Sequence, residues 1–224
     1  MFDIVAYTAA ASMGFWAKRQ PDPTYRYPVP KSLGGGYLLA LTNGAIIGSI
    51  ALGTWNLRLS GMDGFGKSVL GALVGAIVAA ELFKVFFKLT GSTGALLVPG
   101  LALGIAIGRM GCFFGGLEDY TYGTPSSAPW AIDFGDGVLR HPVQLYESLA
   151  MLLPLVVSIW GVRRRHALWL EFGFYGFAVF YGLQRFCWEF LKPYPSFTLG
   201  LNLFQWFCLA LVVYGLIMMK KRWR

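Results

Sequence analysis

The sequence predicts an all-α integral membrane protein, a bundle of about seven transmembrane helices with a small loop or hairpin on the outer side. Three observations lead there. Of the 224 residues, 56% are apolar, 17% aromatic and only 13% charged, a balance foreign to water-soluble domains. Six apolar runs, roughly 35–57, 67–89, 93–113, 143–162, 167–191 and 198–219, approach or exceed the ~20 residues a spanning helix needs. None alternates as a strand of a closed barrel would, so helices must satisfy the backbone internally.

Taken in order, residues 3–17 form a shorter first segment with neither the basic flank nor the small-residue cleavage site of a signal peptide, and are read as a retained span. The second run follows Gly34-Gly35-Gly36, which marks close packing or a turn rather than a phosphate loop. After the fourth span comes the longest connection, about 116–139. There Trp130, Ile132 and Phe134 alternate with Ala131 and Asp133, and Gly135-Asp136-Gly137 supplies a turn before Val138 and Leu139, predicting a small hairpin. Pro142 suits the first turn of the fifth span, with His141 as its cap. The whole chain, 1–224, reads as one transmembrane domain.

Orientation follows from the loops. In a seven-span arrangement one side holds thirteen Lys and Arg, among them Arg26, Arg163, Arg164, Arg165, Lys220, Lys221, Arg222 and Arg224; the other holds six, Arg58, Lys67, Arg109, Arg140, Arg185 and Lys192. The basic side is expected to be cytoplasmic, placing residues 116–147 outside. The net charge of +8 thus sits at helix ends, as orientation requires, and does not indicate nucleic acid. Cys112, Cys187 and Cys208 show no CxxC spacing, so no disulfide framework, metal site or cofactor is expected.

The charges that remain inside or beside apolar runs carry the chemistry. Arg109 closes ALGIAIG and precedes Met110-Gly111-Cys112-Phe113-Phe114, so it must snorkel, pair with a buried carboxylate, or face a cavity. In RHPVQLYE (140–147), Arg140, Gln144 and Glu147 share a helical face, although a polar first turn at the interface explains that stretch equally well. Arg185 and Glu189, four apart, suit an intrahelical ion pair. Together Arg109, Arg140 and Arg185 arrive from three helix ends and form a cage fit for a phosphate or carboxylate. Cys112 reads as a small apolar residue unless His141 meets it.

GRMGCFFGG (108–116), PW (129–130), RHPVQLYE (140–147) and GLQRFCWEFLKP (182–193), in this order and spacing, resemble phosphatidylglycerol:prolipoprotein diacylglyceryl transferases. The resemblance implies a multi-pass bacterial inner-membrane enzyme whose active face is outside. It moves the diacylglyceryl group of phosphatidylglycerol onto a lipobox cysteine thiol and releases glycerol phosphate. By the same resemblance Arg109 and Arg185 are the essential arginines, His141, Gln144, Tyr146 and Glu147 belong to the family's RHPxQLYE motif, Glu189 to its arginine segment and Gln205 to the start of its last helix. The departures are as specific. The family's HGG histidine falls on Leu70, its asparagine on Cys112, and the segment bearing its glutamate on GLEDYTYG (116–123), where Glu118 or Asp119 stands in. The expected catalytic set is therefore Arg109, Arg185, His141 and Glu118, with Arg140, Gln144, Tyr146, Glu147, Glu189, Gln205 and Cys112 contacting substrate. Phospholipid is the expected donor and a prolipoprotein the acceptor. The alternatives are a transferase with another acceptor, or a non-catalytic phospholipid-binding membrane protein; a transporter finds little support without broken-helix pairs or repeat halves.

Overall fold

The computed structural model describes residues 2–20, 27–164 and 166–223; Arg26, Arg165 and Arg224, used above for orientation, lie outside the described residues. The helices are α1 (Phe2–Lys18), α2 (Gly34–Leu59), α3 (Val69–Phe86), α4 (Val98–Gly115), α5 (Val143–Ala150), α6 (Leu152–Arg163), α7 (Ala167–Glu189) and α8 (Leu203–Trp223). The chain is an all-α membrane protein. Five stretches are long and apolar enough to cross a bilayer by length and composition: Lys31–Leu59, Val69–Phe86, Val98–Asp119, Val143–Arg163 and Leu203–Trp223. The expected first and sixth spans exist as helices but fall outside that group. At 17 residues α1 is short, and α7 carries Glu171, Arg185 and Glu189 among many aromatic residues.

The fifth span is continuous in direction but broken between α5 and α6 at Met151. Pro154 accounts for the break, because it has no amide proton to donate to the carbonyl four residues back and its ring crowds that carbonyl. The long connection after α4 forms the expected hairpin. β1 (Ile132–Asp133) pairs antiparallel with β2 (Leu139–Arg140), with Ile132 opposite Arg140. The turn is held by Asp133 Oδ1, which accepts the amides of Gly135, Asp136 and Gly137 at 2.8, 3.1 and 3.0 Å. On its other side β2 bridges Pro125, so Arg140 lies in a strand and not on the helical face of Gln144 and Glu147. The cap position of α5 is Pro142, with no side-chain capping bond from His141.

The described chain divides into two compact units, one of 1–22, 94–193 and 212–224, the other of 23–93 and 194–211. In the first, α4 packs against α1, α5 and α6, and α7 against α5 and α6. Small residues permit the α1 contact: a Cβ on Gly100 would lie 2.6 Å from the Ala10 carbonyl oxygen, and one on Gly111 2.6 Å from Phe2 Cβ. In the second unit α2 and α3 pair through glycines. A Cβ on Gly44 would lie 2.5 Å from the Gly75 carbonyl oxygen, and one on Gly53 2.5 Å from the Gly66 carbonyl carbon. Ser68 caps α3, its hydroxyl accepting from the Gly71 amide at 3.1 Å. Tyr37 and Tyr27 both donate to Thr93, to its Oγ1 at 2.7 Å and its carbonyl at 2.6 Å.

Candidate functional site

Arg109 lies in the C-terminal half of α4, where an apolar helix cannot leave it facing lipid without a cost of several kcal/mol. It turns inward and is buried, 5% exposed. One turn back, the Ala106 carbonyl accepts from Ser148 Oγ at 2.9 Å, which ties α4 to α5 at the level of the site. That tie brings Glu147, beside Ser148, against the arginine: Arg109 Nε lies 2.6 Å from Glu147 Oε2, a close ion pair rather than an aligned hydrogen bond. From α7, Arg185 Nη1 donates to the other carboxylate oxygen, Oε1. Two arginines from different helices therefore meet on one carboxylate.

Two further charges complete the cluster. Arg185 Nη2 reaches Glu189 Oε1 at 2.7 Å, the intrahelical pair its spacing predicts. Lys192, just beyond α7, sends its ammonium to Glu147 Oε1 at 2.8 Å and to Glu189 Oε1 at 3.6 Å. Sequence reasoning uses Lys192 only for orientation. Its signal is present all the same, since Arg185, Glu189 and Lys192 recur at four- and three-residue steps. All five side chains are buried. Three cations face two carboxylates, so these five groups carry one surplus positive charge.

Around this cluster the other expected residues take distinct places. Gln144 is fully buried three residues before Glu147, and neither atom of its amide has a hydrogen-bond partner among the described residues. Cys112 Sγ lies 3.9 Å from Arg109 Nη1, and the Asp119 charge lies near enough to act on its thiol. Asp119 also accepts from Thr121 Oγ1 at 2.9 Å. The two acidic alternatives in the loop, Glu118 and Asp119, are both exposed in the same short turn, Gly116–Asp119, and of the two it is Asp119 whose charge acts on the Cys112 thiol.

Arg140 takes other partners than the cluster. Its Nη1 donates to Asp136 Oδ1 at 2.6 Å and to the Val138 carbonyl at 3.0 Å, and its guanidinium stands over the Tyr122 ring. The Arg140 hydrogen bond holds the exposed Asp136 carboxyl below its ordinary pKa. Lys192, not Arg140, is the third cation beside Arg109 and Arg185. Tyr146 accepts from Trp130 Nε1 at 2.6 Å, stands 3.3 Å from His141 Nδ1, and tilts against Trp188 with ring centroids 5.3 Å apart. Gln205 belongs to the other unit. There its Oε1 accepts the Asn202 amide at 2.8 Å while Asn202 Oδ1 accepts the Gln205 amide at 2.9 Å, a reciprocal cap at the start of α8. Leu70, where the resemblance expects histidine, is fully buried in the first turn of α3. No group of His, Cys, Asp and Glu fit for a metal ion occurs among the described residues.

The cluster gathers cationic donors around one carboxylate. Two guanidinium forks and an ammonium, buried together and already drawn to one carboxylate, suit a phosphate, which accepts bidentate donors.

Residues 37–221 match a family described as prolipoprotein diacylglyceryl transferase. Among similar proteins, one of Polynucleobacter necessarius is 33% identical over 219 residues, 93% of this chain and 79% of that protein. One of Idiomarina loihiensis is 34% identical over 165 residues, 69% of this chain and 59% of that protein. One of Geobacter sulfurreducens is 35% identical over 141 residues, 61% of this chain and 50% of that protein. Each is named phosphatidylglycerol–prolipoprotein diacylglyceryl transferase. The match spans most of the first relative and half to three-fifths of the other two. No solved structure matches the chain.

Proposed function

Since the chain belongs to the prolipoprotein diacylglyceryl transferase family, we propose that it is a membrane transferase that passes the diacylglyceryl group of phosphatidylglycerol to the lipobox cysteine of a prolipoprotein. The observation that carries this reading is the buried meeting of Arg109 and Arg185 on Glu147. With Lys192 and Glu189 they leave one positive charge uncompensated, and a phosphodiester lipid carries one negative charge.

In the reaction the acceptor sulfur forms a bond to the glycerol carbon of the lipid, and the bond from that carbon to the phosphate oxygen breaks. Glycerol phosphate leaves with the electron pair. Arg109 and Arg185 hold the phosphate and stabilise the charge that gathers on it, which fixed, desolvated donors do without reorganising. An unperturbed thiol is mostly protonated near neutrality, so a base or solvent must take its proton. That base must come within about 3 Å of the proton, directly or through one water. With leucine at position 70, Asp119 is the group we assign, because its charge acts on the Cys112 thiol, whose sulfur lies 3.9 Å from Arg109 Nη1. The reading is tested with purified full-length chain, labelled phosphatidylglycerol and a lipobox peptide. The expected result is a thioether-linked diacylglyceryl peptide and released glycerol phosphate. Lipid binding with no transfer to any thiol peptide, while a relative succeeds in parallel, overturns the acceptor and favours a non-catalytic lipid-binding protein.

The chain is a multi-pass helical membrane protein with bacterial relatives, and we place the arginine pair toward the outer face on the thirteen-to-six division of basic residues. In a chain with its three cysteines replaced by serine, Ser126→Cys should label with an outside-only thiol reagent and Lys221→Cys should not. The opposite pattern would invert the topology and the face of the site.

A further inference from the structure

We infer that Trp130 and Tyr146 fix His141 as its Nε2–H tautomer, so that this histidine offers the lipid phosphate a hydrogen-bond donor and is not the base for the thiol. The tautomer rests on geometry alone; the identity of the phosphate ligand rests on the function proposed above.

The argument starts at the indole, which can only donate. Trp130 Nε1 lies 2.6 Å from Tyr146 Oη, so the phenol oxygen accepts there. Its own proton then needs an acceptor, and His141 Nδ1 stands 3.3 Å away. A neutral imidazole has one N–H and one lone pair. If Nδ1 accepts from the phenol, the ring proton sits on Nε2. The reverse arrangement would aim two N–H donors at one phenol oxygen and leave the hydroxyl proton to seek a third partner.

The histidine and the tyrosine are each held from outside the chain of hydrogen bonds. The His141 amide donates to the Thr124 carbonyl at 3.1 Å, which fixes the start of the ring's side chain. Tyr146 leans on Trp188. Tyr146 and Glu147 lie on α5, and Trp188 and Glu189 on α7, so the two helices that carry the carboxylates of the charged cluster also carry the phenol of the relay and the indole it leans on. An Nε2–H in that position complements an oxygen that only accepts, as phosphodiester oxygens do. A thiol proton needs a lone pair, and the only lone pair on this ring is engaged by Tyr146.

The chain has two histidines, so 15N imidazole spectra of a His166→Asn protein in maltoside micelles report His141 alone. The expected spectrum shows a protonated Nε2 and an unprotonated Nδ1, with Tyr146→Phe giving a mixture of tautomers. Adding phosphatidylglycerol should shift the Nε2–H resonance, and inorganic phosphate alone should not. A protonated Nδ1 in the starting spectrum overturns the tautomer, and an Nε2–H resonance unmoved by the lipid overturns the donor role. A shift produced equally by inorganic phosphate overturns the lipid assignment. In the transfer assay His141→Ala should fall by about 10²-fold, the usual loss for one donor to a developing charge. His141→Gln, which keeps an N–H but cannot act as a base, should stay within roughly tenfold of wild type on the same scale. Equal loss in both variants overturns the donor role. A wild type that transfers nothing removes the family reaction, while the spectra still decide the tautomer and the lipid contact.

Discussion

Arg109→Met is expected to accumulate as a folded membrane protein with transfer reduced by about 10²- to 10³-fold, whereas Glu147→Leu is expected to lose most of its stability. The asymmetry follows from charge. Removing Arg109 leaves Arg185 and Lys192 against Glu147 and Glu189, a balanced set in which Glu147 Oε1 keeps both remaining cations. Removing Glu147 leaves three buried cations around the single carboxylate of Glu189. Breaking a buried pair from one side costs about 3–5 kcal/mol, because the partner's charge stays buried without compensation. The double variant Arg109→Met/Glu147→Leu returns the cluster to its original surplus of one and should regain much of the lost stability, but not transfer. Thermal unfolding in detergent and the peptide assay read the two effects separately. If Arg109→Met unfolds as readily as Glu147→Leu, the arginine is chiefly a structural counter-ion and its assignment to the phosphate fails.

Gly75→Leu should prevent α2 and α3 from pairing, with loss of folded protein at the level of insertion or detergent extraction. A Cβ at Gly75 would lie 3.0 Å from the Gly48 Cα and Gly44 carbonyl carbon, and one at Gly48 would lie 2.9 Å from the Gly75 Cα. These neighbours are backbone atoms, which cannot rotate aside as a side chain would. Overpacking of a core usually costs about 1–3 kcal/mol; here the helices must part, and in lipid their association depends on that close approach. Gly35→Ala is the control. It has nothing within 4 Å of an added Cβ, and an alanine inside a helix is favoured over glycine by about 0.5–1 kcal/mol. Equal accumulation of Gly75→Leu and Gly35→Ala would show that the glycine contact does not hold the pair.

By itself the sequence determined that the chain crosses a membrane as helices, because lipid offers no partner for a free amide or carbonyl and long apolar runs then have one outcome. The hairpin was equally legible, since Gly135-Asp136-Gly137 is turn chemistry that acts over neighbouring residues. So was the pair of Arg185 with Glu189, which depends only on helical spacing. The motifs identified the family for the same reason, being local strings. Tertiary structure decided the rest. Arg140 shares a helical face with Glu147 only if the helix begins before it, and strand pairing with Ile132 and Pro125 took it out of that helix. Lys192 entered the cluster because α5 brings Glu147 to the end of α7. Gln205 found its partner in Asn202 at the start of its own helix. Asp119 rather than Glu118 came to act on the Cys112 thiol through the turn that ends α4. Apart from the Gln205–Asn202 cap, which is local, the energy lies in contacts between groups distant in sequence, or in the direction a short turn takes. Spacing along the chain says which charges must find a partner in lipid, and only the packing of α4, α5 and α7 says which partner each one finds.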